Sequence, residues 1–146
     1  MPPIDLLALE DQEVFLAVRS NNATRRVART EARQRTIDRW QRRWDEALNG
    51  RWTHSLIPNI RAWIGRNHGQ VSFQMTQFSS GHGCFRSYLH RFKIDNSTLC
   101  TWCTEDIEED ASHALFTCGR FAETQLGVSI NADNLISIML ERNIEI

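Results

Sequence analysis

No stretch of this 146-residue sequence approaches the roughly 18 consecutive apolar residues of a membrane span, so no spanning helix is expected. The opening residues, MPPIDLLALEDQ, have neither a basic leader nor a long apolar run, which argues against a secretory signal. The expected setting is therefore intracellular, nucleus or cytoplasm, not secreted. In a reducing compartment the four cysteines read as metal ligands or free thiols before disulfides. A glycine-rich phosphate loop, an HExxH pair and a nucleophile elbow are all missing. The acids crowd into one loop, without the separated pair that acid–base catalysis requires. These absences point away from an enzyme and from a small-molecule substrate. There are no internal repeats and no low-complexity linker. Apolar residues at 41% and charged residues at 24% fit one soluble domain with a real core.

Lysine occurs once, at Lys93, so sixteen of the seventeen basic residues are arginine, whose planar fork grips phosphate as lysine cannot. The net charge of −1 conceals a segregation. Residues 1–18 carry Asp5, Glu10, Asp11 and Glu13, for −4. Residues 19–66 carry twelve arginines against four acids, for +8. Residues 67–99 carry Arg86, Arg91 and Lys93 against Asp95, for +2, and residues 100–146 carry two arginines against nine acids, for −7. Such a split suggests one half that faces a polyanion and one acidic half, the alternative being a solvated arginine-rich helix face.

Ile4 to Leu9 reads as one or two helical turns. Ser20-Asn21-Asn22 offers N-cap residues, and from about 22 to 48 there is neither Gly nor Pro. Ile37, Trp40, Trp44 and Leu48 recur at helical spacing, and Asn49-Gly50 ends the run. Arg25, Arg29, Arg35, Arg39 and Arg43 fall on an arc flanking that stripe. This predicts an amphipathic helix with a basic outer face and with Trp40 and Trp44 buried. The ordered part is expected to begin by Arg35, with 20–34 projecting as a helix. Pro58 suits the first position of a second helix with Ile57, Ile60, Trp63 and Ile64 on its apolar face, closed by Asn67-His68-Gly69. VSFQMTQF at 71–78 alternates like a strand, but Ser72 as N-cap and Gly81 beyond the end favour a short helix. After the Gly81-His82-Gly83 turn, Phe85, Tyr88, Leu89 and Phe92 mark another helical face. Leu135, Ile138, Met139 and Ile144 suggest a last one.

Cys100-Thr101-Trp102-Cys103 begins the pattern C-x2-C-x9-H-x4-C, completed by His113 and Cys118. Two thiolates on one tight turn can reach a single ion, and a distant His/Cys pair can close a tetrahedron around Zn²⁺. Four protein ligands leave no open position, so the site is expected to be structural. A redox pair at the C-x-x-C, or a core histidine at 113, are the lesser readings. The middle loop holds Glu105, Asp106, Glu108, Glu109 and Asp110, and three thiolates with Zn²⁺ add a further negative charge. A knuckle this acidic should repel phosphate. Phosphate contacts are assigned instead to the arginine helix and to Arg86, Arg91 and Lys93. Cys84 is left over; it reads as a buried thiol, or with His82 and His90 as part of a second metal site.

Several blocks resemble the C-terminal region of Pol proteins of non-LTR, LINE-type retrotransposons, most like the type-1 class. They are PPIDLLALE at 2–10, TIDRWQRRWD at 36–45, GRWTHSLIPNIRAWIGRNHG at 50–69, FQMTQFSSGHGCFRSYLHRF at 73–92, ASHALFTCGRF at 111–121 and NLISIML at 134–140. The resemblance implies a mainly helical segment that follows a reverse transcriptase domain, ends in a zinc knuckle and contacts RNA or DNA. Its zinc ligands fall on Cys100, Cys103, His113 and Cys118. Nothing here resembles the polymerase or endonuclease carboxylates. Asp11, His54, Gly119 and a short tail depart from the family pattern and suggest a truncated or decayed copy.

The expected fold is mainly α, with about five or six helices and a small zinc knuckle toward the C-terminus. Residues 1–95 form the helical segment and 96–146 the knuckle and last helices, as one compact unit. The expected function is a non-catalytic, zinc-stabilised nucleic-acid-binding fragment of a retrotransposon Pol protein. A structural or protein-interaction zinc module, or a remnant without function, are the alternatives.

Overall fold

In α1 (Ile4–Arg19), Leu6, Glu10, Glu13, Val14 and Ala17 fall on one helical side, and Leu6 and Val14 are buried. The computed structural model describes residues 1–20, 23–66, 72–121 and 136, and is mainly helical. α2 (Arg25–Glu46) offers α1 a row of small residues four apart, Ala28, Ala32 and Thr36, all essentially inaccessible. With no bulk on that row, the two helices lie close and antiparallel around Val14, Ala28 and Ala32. The sequence pattern undervalued both partners. α1 runs sixteen residues, well past Leu9. The 25–34 stretch does not project, because Ala28 and Ala32 are its buried anchor. Trp40 and Trp44 are half-buried only.

The acids of α1 face the arginines of α2. Glu13 meets Arg35 at 2.9 Å and Arg39 at 2.5 Å, Glu10 meets Arg33 at 3.2 Å, and Asp5 meets Arg43 at 2.6 Å. The Arg35 hydrogen bond, joined by Arg39, outweighs burial and holds the Glu13 carboxyl below its usual range. These pairs are solvent-screened and fix the register of the hairpin more than they stabilise it.

α4 (Ile60–Gly65) completes this first unit. Its N-cap is Asn59, whose Oδ1 accepts from Ala62 N, so Pro58 precedes the helix and is not its first residue. The Gln41 amide clamps the entry. Its Nε2 donates to Pro58 O at 2.9 Å and its Oε1 accepts from Ile60 N at 2.8 Å.

The second unit comprises Gly50–Ile57 and the chain from Arg66 onward. α3 (Arg51–Leu56) was not anticipated from the sequence. Its Trp52 donates Nε1–H to Phe78 O at 2.9 Å and packs edge-on against Phe78 and Phe116, with centroids 5.5 and 6.3 Å away. α5 (Phe73–Ser80) starts as expected at Ser72, whose hydroxyl accepts from Met75 N at 3.1 Å. It ends at Gly81, in the left-handed region with φ 69°. A Cβ there would also stand 3.3 Å from Trp52 Cδ1, so the turn and the tryptophan together call for glycine.

α6 (Arg86–Arg91) closes in a Schellman motif, with Lys93 N donating to His90 O and Ile94 N to Leu89 O. Lys93 holds the left-handed position, with φ 58°, where glycine is usual. An L-residue there costs about 1–2 kcal/mol. α7 (Ala111–Phe116) and a 3-10 turn at Gly119–Phe121 follow. The helix expected after Pro58 is α4, which ends at Gly65; its expected closing residues Asn67-His68-Gly69, and the last helix expected around Leu135 and Met139, fall outside the described residues. No helix among those described is long and apolar enough to cross a membrane.

Candidate metal centre

The first arm is a hairpin-like loop. Leu99 and Glu108 form an antiparallel bridge, Cys100 N donates to Ile107 O, and Glu109 N donates to Thr98 O, both at 2.8 Å. Between these rungs the chain turns back at the C-x-x-C, where the backbone N–H groups of Trp102 and Cys103 point at the Cys100 sulfur. The second arm is α7. The Asp110 carboxylate accepts from His113 N at 2.7 Å and starts the helix. At its end Cys118 N donates to His113 O at 2.8 Å, folding Cys118 back beside the histidine. A helix-plus-turn of this length is what a four-residue spacer supplies.

The four donor atoms lie within 4.8 Å of one another. Cys100 Sγ and Cys118 Sγ are 3.8 Å apart, Cys103 Sγ and Cys118 Sγ 4.0 Å, and Cys103 Sγ and His113 Nε2 3.5 Å. Sulfurs about 2.3 Å from one tetrahedral ion must be about 3.8 Å apart, and a sulfur and a nitrogen about 3.6 Å. These three separations are close to the tetrahedral values, and the cluster could hold a metal ion. Cys100, His113 and Cys118 are buried, which keeps water off the ligands.

Burial alone would raise the Cys100 thiol, but the backbone N–H groups of Cys103 and Trp102 and contacts from His113 and Cys118 bring it down to about 7. Cys103 goes the other way. Burial, then its neighbours Cys100 and Cys118, push it up to about 11. Three crowded thiols cannot all ionise unaided; a divalent cation removes that conflict.

His113 is oriented by a residue the sequence reading did not single out. Thr117 Oγ1 lies 2.8 Å from His113 Nδ1 and donates its own proton to His113 O at 3.3 Å. The hydroxyl therefore accepts from Nδ1–H, which leaves Nε2 unprotonated toward the sulfurs. The signal was available, since Thr117 follows His113 by one helical turn. Thr117→Val is expected to lower metal affinity by about 10–100-fold with the fold retained. Competition against a chromogenic chelator measures this, and unchanged affinity would remove Thr117 from the site.

The proposed phosphate-binding residues differ in their own surroundings. Arg35, Arg39 and Arg43 face acids of α1. Arg25 and Arg29 are exposed at the start of α2 and form no ion pair among the described residues. Arg86 makes a two-pronged pair with Asp95, at 2.9 and 2.7 Å, which raises its pKa and pins the turn before the knuckle. Arg91 and Lys93 are exposed. Cys84 is exposed, not buried. It forms no second metal group with His82 and His90: among the described residues the four-ligand cluster is the one found. His82 packs on Tyr88, and His90 Nδ1 lies 3.1 Å from Asp95 O.

The chain is similar to Pol polyproteins of type-1 retrotransposable elements. It is 32% identical over 87 residues to the retrovirus-related Pol polyprotein from type-1 retrotransposable element R1 of Bradysia coprophila, covering 58% of this chain and 8% of that protein. It is 32% identical over 91 residues to the R1 3 polyprotein of Nasonia vitripennis, covering 61% and 23%. It is 35% identical over 92 residues to the R1 polyprotein of Popillia japonica, covering 62% and 34%. The chain thus spans about a third or less of the curated relatives it matches. No family model and no solved structure matches it.

Proposed function

We propose, from the similarity to type-1 retrotransposon Pol polyproteins, that this chain is a non-catalytic, zinc-stabilised nucleic-acid-binding segment from the C-terminal region of such a protein. The observation that carries the reading is a clustered set of four candidate ligands, Cys100, Cys103, His113 and Cys118, in a chain with that similarity. Zinc suits three thiolates and one imidazole, and with all four positions filled by protein its role is to join the 99–108 hairpin to α7. Polymerase and nuclease chemistry belongs to other parts of a longer polypeptide, of which an upstream reverse transcriptase domain is the proposed neighbour. The working environment is intracellular.

Among the cations, Arg25, Arg29, Arg91 and Lys93 are the principal phosphate contacts, since acids already face Arg35, Arg39, Arg43 and Arg86. Nucleic-acid affinity should fall with salt at a slope of about −0.7 per phosphate contact for single strands. Replacing Arg25 and Arg29 by Gln should flatten it by roughly 0.7 each. Glu13→Gln, which releases Arg35 and Arg39, should tighten binding. Replacing Glu105, Asp106 and Glu108 by their amides should leave binding intact or strengthen it. If loss of the metal ligands abolishes binding while the helices stay folded and the arginine changes do nothing, the knuckle itself is the binding surface. A second reading, a protein-interaction module, is favoured by the outward face of α1, where Ile4, Phe15 and Leu16 are more than half exposed. Salt-independent behaviour and no nucleic-acid binding would select it.

A further inference from the structure

The C-terminal end of α6 carries a row of mutually tilted rings. His82 and Tyr88 have centroids 4.8 Å apart, and Tyr88 and Phe92 4.9 Å. The Arg91 guanidinium lies over both of the latter rings, 5.3 Å from Tyr88 and 5.1 Å from Phe92. Phe92, 54% exposed, pays no part in a core, and His82, Arg91 and Lys93 are exposed with it. From His82 to Ile94 the sequence contains no acid, and the first one beyond, Asp95, is taken up by Arg86.

We propose that Phe92 and Tyr88, flanked by Arg91 and Lys93, form a platform on which the chain stacks the bases of a single-stranded nucleic acid. This rests on the nucleic-acid reading above and gives it a strand state and a surface. An unpaired base has a free π-face that a solvent-exposed phenyl ring can cover, whereas bases in a duplex are covered by their neighbours. Two adjacent cations meet the phosphates of the same strand. A second observation points to the same place. The sequence puts its one lysine at a left-handed backbone position that glycine would fill without strain, so a cation is kept there against the local conformational preference.

The test uses the full chain with its metal bound, and fluorescein-labelled oligo(dT) and a mixed-sequence duplex, each about 15 nucleotides long to match a typical single-strand site. Anisotropy titrations should show the single strand bound at least about tenfold more tightly than the duplex. Phe92→Ala should weaken single-strand binding by about tenfold or more and leave the duplex unchanged, and Phe92→Trp should restore it. Lys93→Gly should raise the thermal midpoint, yet weaken binding and flatten the salt slope by about 0.7. Single-strand binding that ignores Phe92→Ala, or a preference for duplex, overturns the platform while leaving nucleic-acid binding in place. Failure to bind either probe overturns both.

Discussion

Removing the metal should unfold the 97–121 region first and leave the α1–α2 hairpin helical. The four ligands connect two arms, each held by a few backbone hydrogen bonds of its own, and structural zinc sites contribute about 10–16 kcal/mol of apparent binding energy at neutral pH. Elemental analysis should give one Zn²⁺ per chain and none in Cys100→Ser. Hydrogen exchange after chelation should lose protection at Cys100, Glu109 and Cys118, whose amide bonds hold the arms. The pH dependence has a definite sign. Zinc binds thiolates, so protons compete and affinity falls as pH falls. Cys103, raised to about 11, must give up its proton at any physiological pH, while Cys100, at about 7, must do so only below that value. Log affinity should therefore drop more steeply with acidification below pH of about 7 than above it. A flat profile, or zinc absent from the wild-type chain, would refute the site.

Trp52→Ala should cost the second unit about 3 kcal/mol, near the lower end for tryptophan truncation because the side chain is half-buried. Its indole touches Phe78 of α5 and Phe116 of α7, donates to Phe78 O, and lies against Gly81. Since Phe116 lies three residues after His113, losing the indole should also loosen α7 and weaken metal binding. Trp52→Phe should recover most of the packing but not the hydrogen bond, restoring all but about 1 kcal/mol. Urea unfolding followed at the knuckle amides reads both variants. Equal stability of Trp52→Ala and wild type would mean that the three helices hold together without the indole.

The cluster of candidate ligands was legible because ligand chemistry is local. The C-x-x-C turn, the capping Asp110 and the four-residue His–Cys spacer each fix geometry within a few residues, and the structure closes them on one another. The α5 cap at Ser72 and its stop at Gly81 were readable for the same reason. What the sequence could not convey was where separated charges meet. Residues 1–18 and 19–66 look like opposite poles when written in a line. The α1–α2 hairpin lays one along the other, so Glu13 and Asp5 face the arginines that had been assigned to phosphate. α1 itself escaped notice past Leu9 because Ile4, Phe15, Leu16 and Val18 leave much of their surface outside, blurring its amphipathic pattern. Its burial depends instead on Ala28 and Ala32, residues that carry little hydrophobic signal but allow close approach. Local spacing thus determined the ligands and the caps, while the pairing of helices, and with it the choice of which cations stay open to solvent, was decided by side-chain size at a tertiary contact.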